Sequence, residues 1–327
     1  VTVLYHDADA DLAELDSQQV AVVGYGNQGR PWALNLRDSG LDVMVCVRAD
    51  DTRKQAEADG FEARDLDAVS SADVICILVP DDAIPSLPLS PKPDALVVVA
   101  SGYTLAFDRL DPACDVGMIA PRMLGPEVRR CYEEGVGFIT AVGVHRDATG
   151  RAKGRTLAVA KAIGGLRQGA IELTPRQEAI LDLSVEQALS PALSRVSQSF
   201  MGVMLEQGIP LEAIITELVL SGEVERTYRL LREEGYAAQM EHHSPASQYG
   251  QLSRVPNFAH IDVAGPMREI VEGITSGDFA DEWDAERDAG FPTFQELKDA
   301  AAGPVVREFE ADLRTKLGQG ATQLPRP

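Results

Sequence analysis

Apolar residues in the first half of the chain fall in short, nearly unbroken runs, at positions 20–23, 41–47, 73–79 and 95–100, with a weaker one at 116–120. Runs this short and rich in β-branched residues, without polar alternation, predict strands covered on both faces. Amphipathic or Ala-rich stretches such as 31–39 and 53–60 lie between them. That alternation predicts an α/β fold with a doubly wound parallel sheet. The pattern changes at Thr174-Pro175, which reads as an N-cap followed by proline at the first helical position. Helices are expected from there at 175–189, 191–206, 210–221, 223–234, 262–276 and 278–289. The expected division is a domain over 1–174 and a helical one over 175–327, with a frayed tail from about Gly318.

The chain has 327 residues, and 30 Lys+Arg against 51 Asp+Glu give a net charge of −21. Such an acid excess excludes a nucleic-acid surface, which needs basic groups against phosphate. An anionic small substrate would need local Arg or Lys. No run approaches the ~20 apolar residues of a membrane span. Residues 1–11 carry no basic or apolar signal pattern. Cys46, Cys76, Cys114 and Cys131 show no paired metal spacing, and Cys46 and Cys76 sit inside apolar runs. Buried free thiols and a reducing cytoplasm are the expectation.

Gly24-Tyr25-Gly26-Asn27-Gln28-Gly29 is a G-x-G-x-x-G turn between an expected strand and an expected helix. In this context the first glycine permits the tight turn, the second lets backbone approach a pyrophosphate, and the third lets helix and strand touch. The helix N-terminus adds unpaired N–H groups for the phosphates. The next strand runs out into Arg48, Asp50, Asp51, Arg53 and Lys54, where the ribose 2′ position is read. Carboxylates there favour a 2′-hydroxyl and cations a 2′-phosphate. The adjacent acids tilt the choice toward NAD(H), with NADP(H) open.

Asp182 and Glu186 are spaced i, i+4 on one expected helix, and Glu217 lies within the apolar run 214–220. Like charges on one helix face are unfavourable unless a cation or solvent relieves them. Solvent and a divalent cation are both open readings of these acids.

In their order these residues resemble the ketol-acid reductoisomerase family, in its short bacterial form. The likeness runs from 22–29 and 33–40, through Leu78-Val79-Pro80-Asp81 and the glycines around 163–172, to Asp182-Leu183-x-x-Glu186-Gln187, Glu217, and Ser244 ahead of Tyr249-Gly250. The resemblance implies a Rossmann domain, an all-α and knotted helical domain, and a homodimer with shared active sites. It implies two Mg²⁺ ions that drive an alkyl migration in 2-acetolactate, and a nicotinamide cofactor that then reduces the 2-oxo product. Asp182, Glu186 and Glu217 would be metal ligands, Ser244 would contact substrate, and Pro80, Asp81 and Gly102 would lie on the nucleotide side.

Departures concentrate where the chemistry sits. The family's His-Gly after the fourth strand is Ser101-Gly102, its Pro-Lys is Pro121-Arg122, and its Gly-Pro-Gly-His is replaced over 123–127. Serine keeps a hydrogen bond but does not titrate near neutrality, and arginine keeps the charge but does not deprotonate. The second metal helix carries Ser221 in place of the second Glu, and Glu225 lies ~12 Å along the axis from Glu217. The second Mg²⁺ site is therefore expected to be weak or lost, while one built on Asp182 and Glu186 could remain. The resulting expectation is an NAD(P)H-dependent reductase of a 2-oxo acid or imine, with isomerisation lost or weak. Arg122, Asp182, Glu186, Glu217, Ser244 and Ser101 are its candidate catalytic residues. A working reductoisomerase and a non-catalytic nucleotide-binding protein are the alternatives. His242-His243 lies next to Ser244 and could restore the missing acid–base function if one imidazole faces substrate.

Overall fold

The computed structural model describes residues 2–301 and 303–317, so the tail expected to fray lies outside the described residues. Two compact units meet between Asp182 and Leu183. The break falls inside a helix rather than ahead of it, because the first turns of that helix are bonded to the sheet unit through Glu178.

The first unit contains β1 (Leu4–Tyr5), β2 (Gln19–Val23), β3 (Asp42–Cys46), β4 (Ala63–Arg64), β5 (Val74–Ile77), β6 (Leu96–Val99), β7 (Asp115–Pro121), β8 (Thr140–Arg146) and β9 (Ala170–Glu172). They form one sheet in the order β1-β9-β8-β7-β6-β5-β2-β3-β4. Neighbours from β4 through β7 pair in parallel, with Val20 opposite both Val43 and Val74. β8 turns antiparallel to β7, and β1 antiparallel to β9. The connections include α1 (Gly29–Asp38), α2 (Asp51–Ala58), α3 (Tyr103–Ala106), α4 (Gly125–Glu133) and α5 (Ala152–Ala162).

The unbroken apolar runs have the expected cause. Val20, Val22, Val45, Val74, Cys76, Leu96 and Val98 face one side with Trp32 and Leu36. Their alternates Ala21, Val23, Met44, Ile75, Ile77, Val97 and Val99 face the other. Both faces are dry, so neither parity of the strand is polar. All four cysteines are buried and free, and burial pushes the Cys46 thiol up to about 11 and Cys76 up to about 12.

α6 (Pro175–Ser184) leads across the division into a π turn at Val185–Leu189 and then α7 (Ser190–Glu206). α8 (Leu211–Ile215) likewise passes into a π turn at Thr216–Leu220, closed by Ser221 N–H donating to the Thr216 carbonyl at 2.8 Å. α9 (Glu223–Glu234), α10 (Tyr236–Glu241), α11 (Pro245–Arg254) and further helices complete the second unit. α7 buries none of its residues, and Leu193, Val196, Phe200 and Val203 stand exposed along it. Among the described residues no helix is long and apolar enough to cross a membrane.

Candidate functional site

The sheet reverses its winding between β2 and β5, and a ligand crevice opens there beyond the strand ends. Gly24 closes β2 at φ 93°, and a Cβ on it would stand 2.8 Å from the Leu78 carbonyl oxygen. A Cβ on Gly29 would stand 2.3 Å from the Gly24 carbonyl oxygen, so only glycine lets α1 start this close to the strand. Gly26 differs, with no atom within 4 Å of where its Cβ would be. Its backbone borders a cavity of about 600 Å³ that is also lined by Gly24, Tyr25, Arg48, Asp50 and Pro80. The open backbone, the glycine turn and the cavity fit a nicotinamide nucleotide.

The other residues of the loop have structural work. Tyr25 O–H donates to Asp59 at 2.8 Å, and burial first, then that carboxylate, raises its phenol. Asn27 Oδ1 accepts from Gly125 N–H at 2.7 Å, and Gln28 Nε2 donates to the Met123 carbonyl at 3.1 Å. Both side chains therefore tie the loop to the segment after Arg122, and neither lines the cavity. At the far end Asp50 caps α2, accepting from Thr52 N–H at 3.0 Å, and these bonds to Thr52 hold its carboxyl below the usual range. Arg48 is exposed, with Nε 3.7 Å from Asp50. Asp51 pairs with Lys54 outside the cavity, and Arg53 turns to the Val47 carbonyl and Asp65.

A second cluster gathers beyond β5, β6 and β7. Asp81 turns away from the nucleotide cavity, with its carboxylate 3.4 Å from Ser101 Oγ. Burial, followed by the charges of Glu178, Asp82 and Asp182, pushes Asp81 up to about 6 against the opposing Ser101 bond. Gly102 N–H donates to Glu178 Oε2 at 2.7 Å, and a Cβ on Gly102 would lie 2.1 Å from the Pro175 carbonyl oxygen. Gly102 thus lets the segment after β6 lie directly against the start of α6. Arg122 forks between two acids of α6, one N–H reaching Glu178 at 2.6 Å and another Asp182 at 2.7 Å. Glu178 is only 2% exposed, and burial raises its carboxyl although Gly102 and Arg122 oppose the shift.

Glu178 was not among the expected site residues. Its signal was its place one turn before Asp182, which makes a ladder of acids at i, i+4 and i+8 with Glu186. The same geometry bears on metal. Both Glu178 oxygens and Asp182 Oδ1 are already bonded. No group of three or more His, Cys, Asp or Glu among the described residues is arranged to hold a metal ion. As bonded, the acids of α6 do not fit the Mg²⁺ ligands that the resemblance implies there.

In the second unit, Glu186 and Glu217 each sit in a π turn, a helix irregularity frequent at functional positions. Ser221 Oγ donates back to the Glu217 carbonyl at 3.1 Å, so its hydroxyl is used locally. Ser244, which the resemblance places against substrate, is the N-cap of α11, its Oγ accepting from Ser247 N–H. His242 pairs with Glu234 at 2.8 Å, and His243 with the buried Gln239 at 2.8 Å. Both imidazoles line a cavity of about 400 Å³ that Ser221 and Arg226 also border and Ser244 does not.

Comparison with known proteins agrees with this arrangement. Residues 14–169 match the acetohydroxy acid isomeroreductase NADPH-binding domain, and residues 176–318 match the ketol-acid reductoisomerase C-terminal domain. The chain is 36% identical to a ketol-acid reductoisomerase (NADP(+)) of Caldivirga maquilingensis, over 97% of this chain and 99% of that one. It is 34% identical to a protein of the same name from Sulfurisphaera tokodaii, over 96% and 98%. A solved NADH-preferring ketol-acid reductoisomerase from an uncultured archaeon superposes with a TM-score of 0.88 at 29% identity, covering 96% of this chain and 98% of that one. The chain belongs to the ketol-acid reductoisomerase family, whose members are NAD(P)H-dependent oxidoreductases.

Proposed function

We propose that this protein reduces a 2-oxo acid or a related imine with a nicotinamide nucleotide, and that the family's alkyl migration is lost or weak. The observation that carries this reading is at Ser221: where the resemblance places a second carboxylate, a serine stands with its hydroxyl bonded to the Glu217 carbonyl. Migration moves a carbon with its electron pair between adjacent oxygen-bearing centres and depends on strong Lewis-acid stabilisation. Reduction needs less, namely a placed hydride donor, a polarised carbonyl or imine, and a proton.

When bound, the nicotinamide supplies the hydride to the carbonyl or imine carbon. The π electron pair then moves onto oxygen or nitrogen, which takes a proton. Arg122 orients and polarises the substrate through the guanidinium N–H groups not used on Glu178 and Asp182. Ser101 delivers its hydroxyl proton, and Asp81 replaces it from its carboxyl. With a pKa of about 6, Asp81 holds a proton more readily near neutrality than an ordinary carboxyl does.

The nucleotide is NADH in this reading. Asp50 is fixed by its cap at the cavity rim, where a carboxylate accepts from a 2′-hydroxyl and repels a 2′-phosphate. The exposed apolar row of α7 supports self-association as a homodimer.

One observation favours a second reading, a working reductoisomerase of branched-chain biosynthesis: relatives bearing that name match nearly the whole chain at 34% and 36% identity. Two substrates separate the readings. 2-Acetolactate requires migration and then reduction, whereas 3-hydroxy-3-methyl-2-oxobutyrate requires reduction alone. The proposal expects NADH oxidation with the second and little with the first, with Mg²⁺ or with EDTA. Ordinary turnover of 2-acetolactate that EDTA abolishes would overturn it.

A further inference from the structure

We infer that the guanidinium of Arg122 takes the place of a divalent cation on the first acidic helix, so that substrate is held and polarised there without metal. The inference rests on the proposed reduction and goes further, because it concerns the acids that were expected to keep a metal. Its basis is the bridge from Arg122 to Glu178 at 2.6 Å and to Asp182 at 2.7 Å.

Three facts set this arginine apart from a surface ion pair. Glu178 is only 2% exposed, so it is held away from water and requires a partner inside the protein. Its second oxygen accepts from Gly102 N–H at 2.7 Å, which leaves neither oxygen of Glu178 uncommitted. Asp182 and Glu178 lie one turn apart on α6, and the planar guanidinium spans that spacing with one terminal nitrogen on each. A lysine ammonium is a compact point charge and does not hold two carboxylates in this fixed fork. The substitution of Pro-Arg for Pro-Lys therefore changes what α6 offers to a ligand. A hard cation asks for several free oxygens at about 2.1 Å. It meets instead a helix on which Glu178 and Asp182 already share an internal cation.

The charges facing the cluster are Asp81 and Asp82 from the segment after β5, Glu178 and Asp182 from α6, and Arg122 from the end of β7. One guanidinium does not balance all these acids, which agrees with the raised carboxyls of Asp81 and Glu178. The ligand best suited to the remaining arginine N–H groups is an oxo acid that places one oxygen on them. A single delocalised charge polarises a carbonyl for hydride attack. It is a weaker electrophile than a pair of divalent ions, and this links the arginine to the loss of migration.

The test is Mn²⁺ binding to the full-length protein, read by water-proton relaxation, in wild type and in Arg122→Lys. NADH binding serves as the control for a folded variant. Arg122→Lys is expected to bind Mn²⁺ about tenfold or more tightly than wild type, because Asp182 is released to act as a ligand. Adding Asp182→Asn to the lysine variant is expected to remove the gain. Equal affinity of wild type and Arg122→Lys overturns the inference. So does tight Mn²⁺ binding by wild type that Asp182→Asn abolishes, a measurement that needs no lysine variant. Failure of wild type to reduce any oxo acid or imine would instead count against the proposed reduction, and the Mn²⁺ comparison would still decide the role of Arg122.

Discussion

Replacing Asp81 with asparagine should stabilise the protein at pH 8 and leave its stability unchanged at about pH 3. In the folded chain burial pushes the carboxyl from its ordinary 3.8 to about 6. In the unfolded chain it ionises near the ordinary value. The folded state therefore keeps full stability at about pH 3 and below, where both forms are protonated, and loses it as pH rises through about 6. Each pKa unit is worth about 1.4 kcal/mol, so the penalty reaches ~3 kcal/mol at alkaline pH. Asparagine keeps the shape and the Ser101 contact but carries no charge, so its stability lacks this fall. Urea unfolding followed by Trp32, which is fully buried in the sheet unit, reads the difference. At a slope of ~3 kcal/mol per molar urea, the variant's midpoint should lie ~1 M above wild type at pH 8 and coincide with it at about pH 3. Parallel pH dependences, or a variant weaker at pH 8, would refute the reasoning. The same carboxyl predicts that wild-type kcat/KM for reduction falls as pH rises above about 6. The variant should be slower by ~10²-fold or more and lack that inflection.

Three other substitutions examine separate parts of the molecule. Gly26→Ala should fold normally, since nothing lies within 4 Å of the new methyl, yet lose nucleotide affinity by ~10-fold or more in a fluorescence titration. Gly102→Ala should behave oppositely, because its methyl would meet the Pro175 carbonyl oxygen at 2.1 Å; a loss of ~1–3 kcal/mol in urea unfolding is expected. Asp50→Ser keeps an N-cap for α2 and removes a carboxylate from the cavity rim, so the NADPH-to-NADH ratio of kcat/KM should rise with little change in melting temperature.

The nucleotide half of the site was legible because its constraints are local. A strand, three glycines at fixed spacing and a helix fit together by backbone distances alone, and Gly24 and Gly29 sit where any side chain would collide. β1, β4 and β9 escaped notice because two or three residues carry no periodicity, and they exist through pairing with distant partners. Asn27 and Gln28 belonged to the motif, but only the fold shows their side chains reaching Met123 and Gly125. Glu178 stayed hidden for the same reason. Its burial is decided by Gly102 and Arg122, both more than fifty residues away along the chain. The i, i+4 spacing of Asp182 and Glu186 was visible, as was Arg122 by itself, whereas the bond between Arg122 and Asp182 was not.

The buried thiols make the nucleotide-binding half report on its own opening. All four cysteines belong to the sheet unit, and at pH 7 a thiol raised to about 12 is almost wholly protonated and unreactive. A maleimide added to the folded protein should therefore wait for that unit to unfold before it reaches Cys76, at the centre of the sheet. The helical unit holds no cysteine and stays silent in such an experiment. The rate of mass gain, one thiol at a time, would separate the breathing of one half of the chain from that of the other without any engineered label.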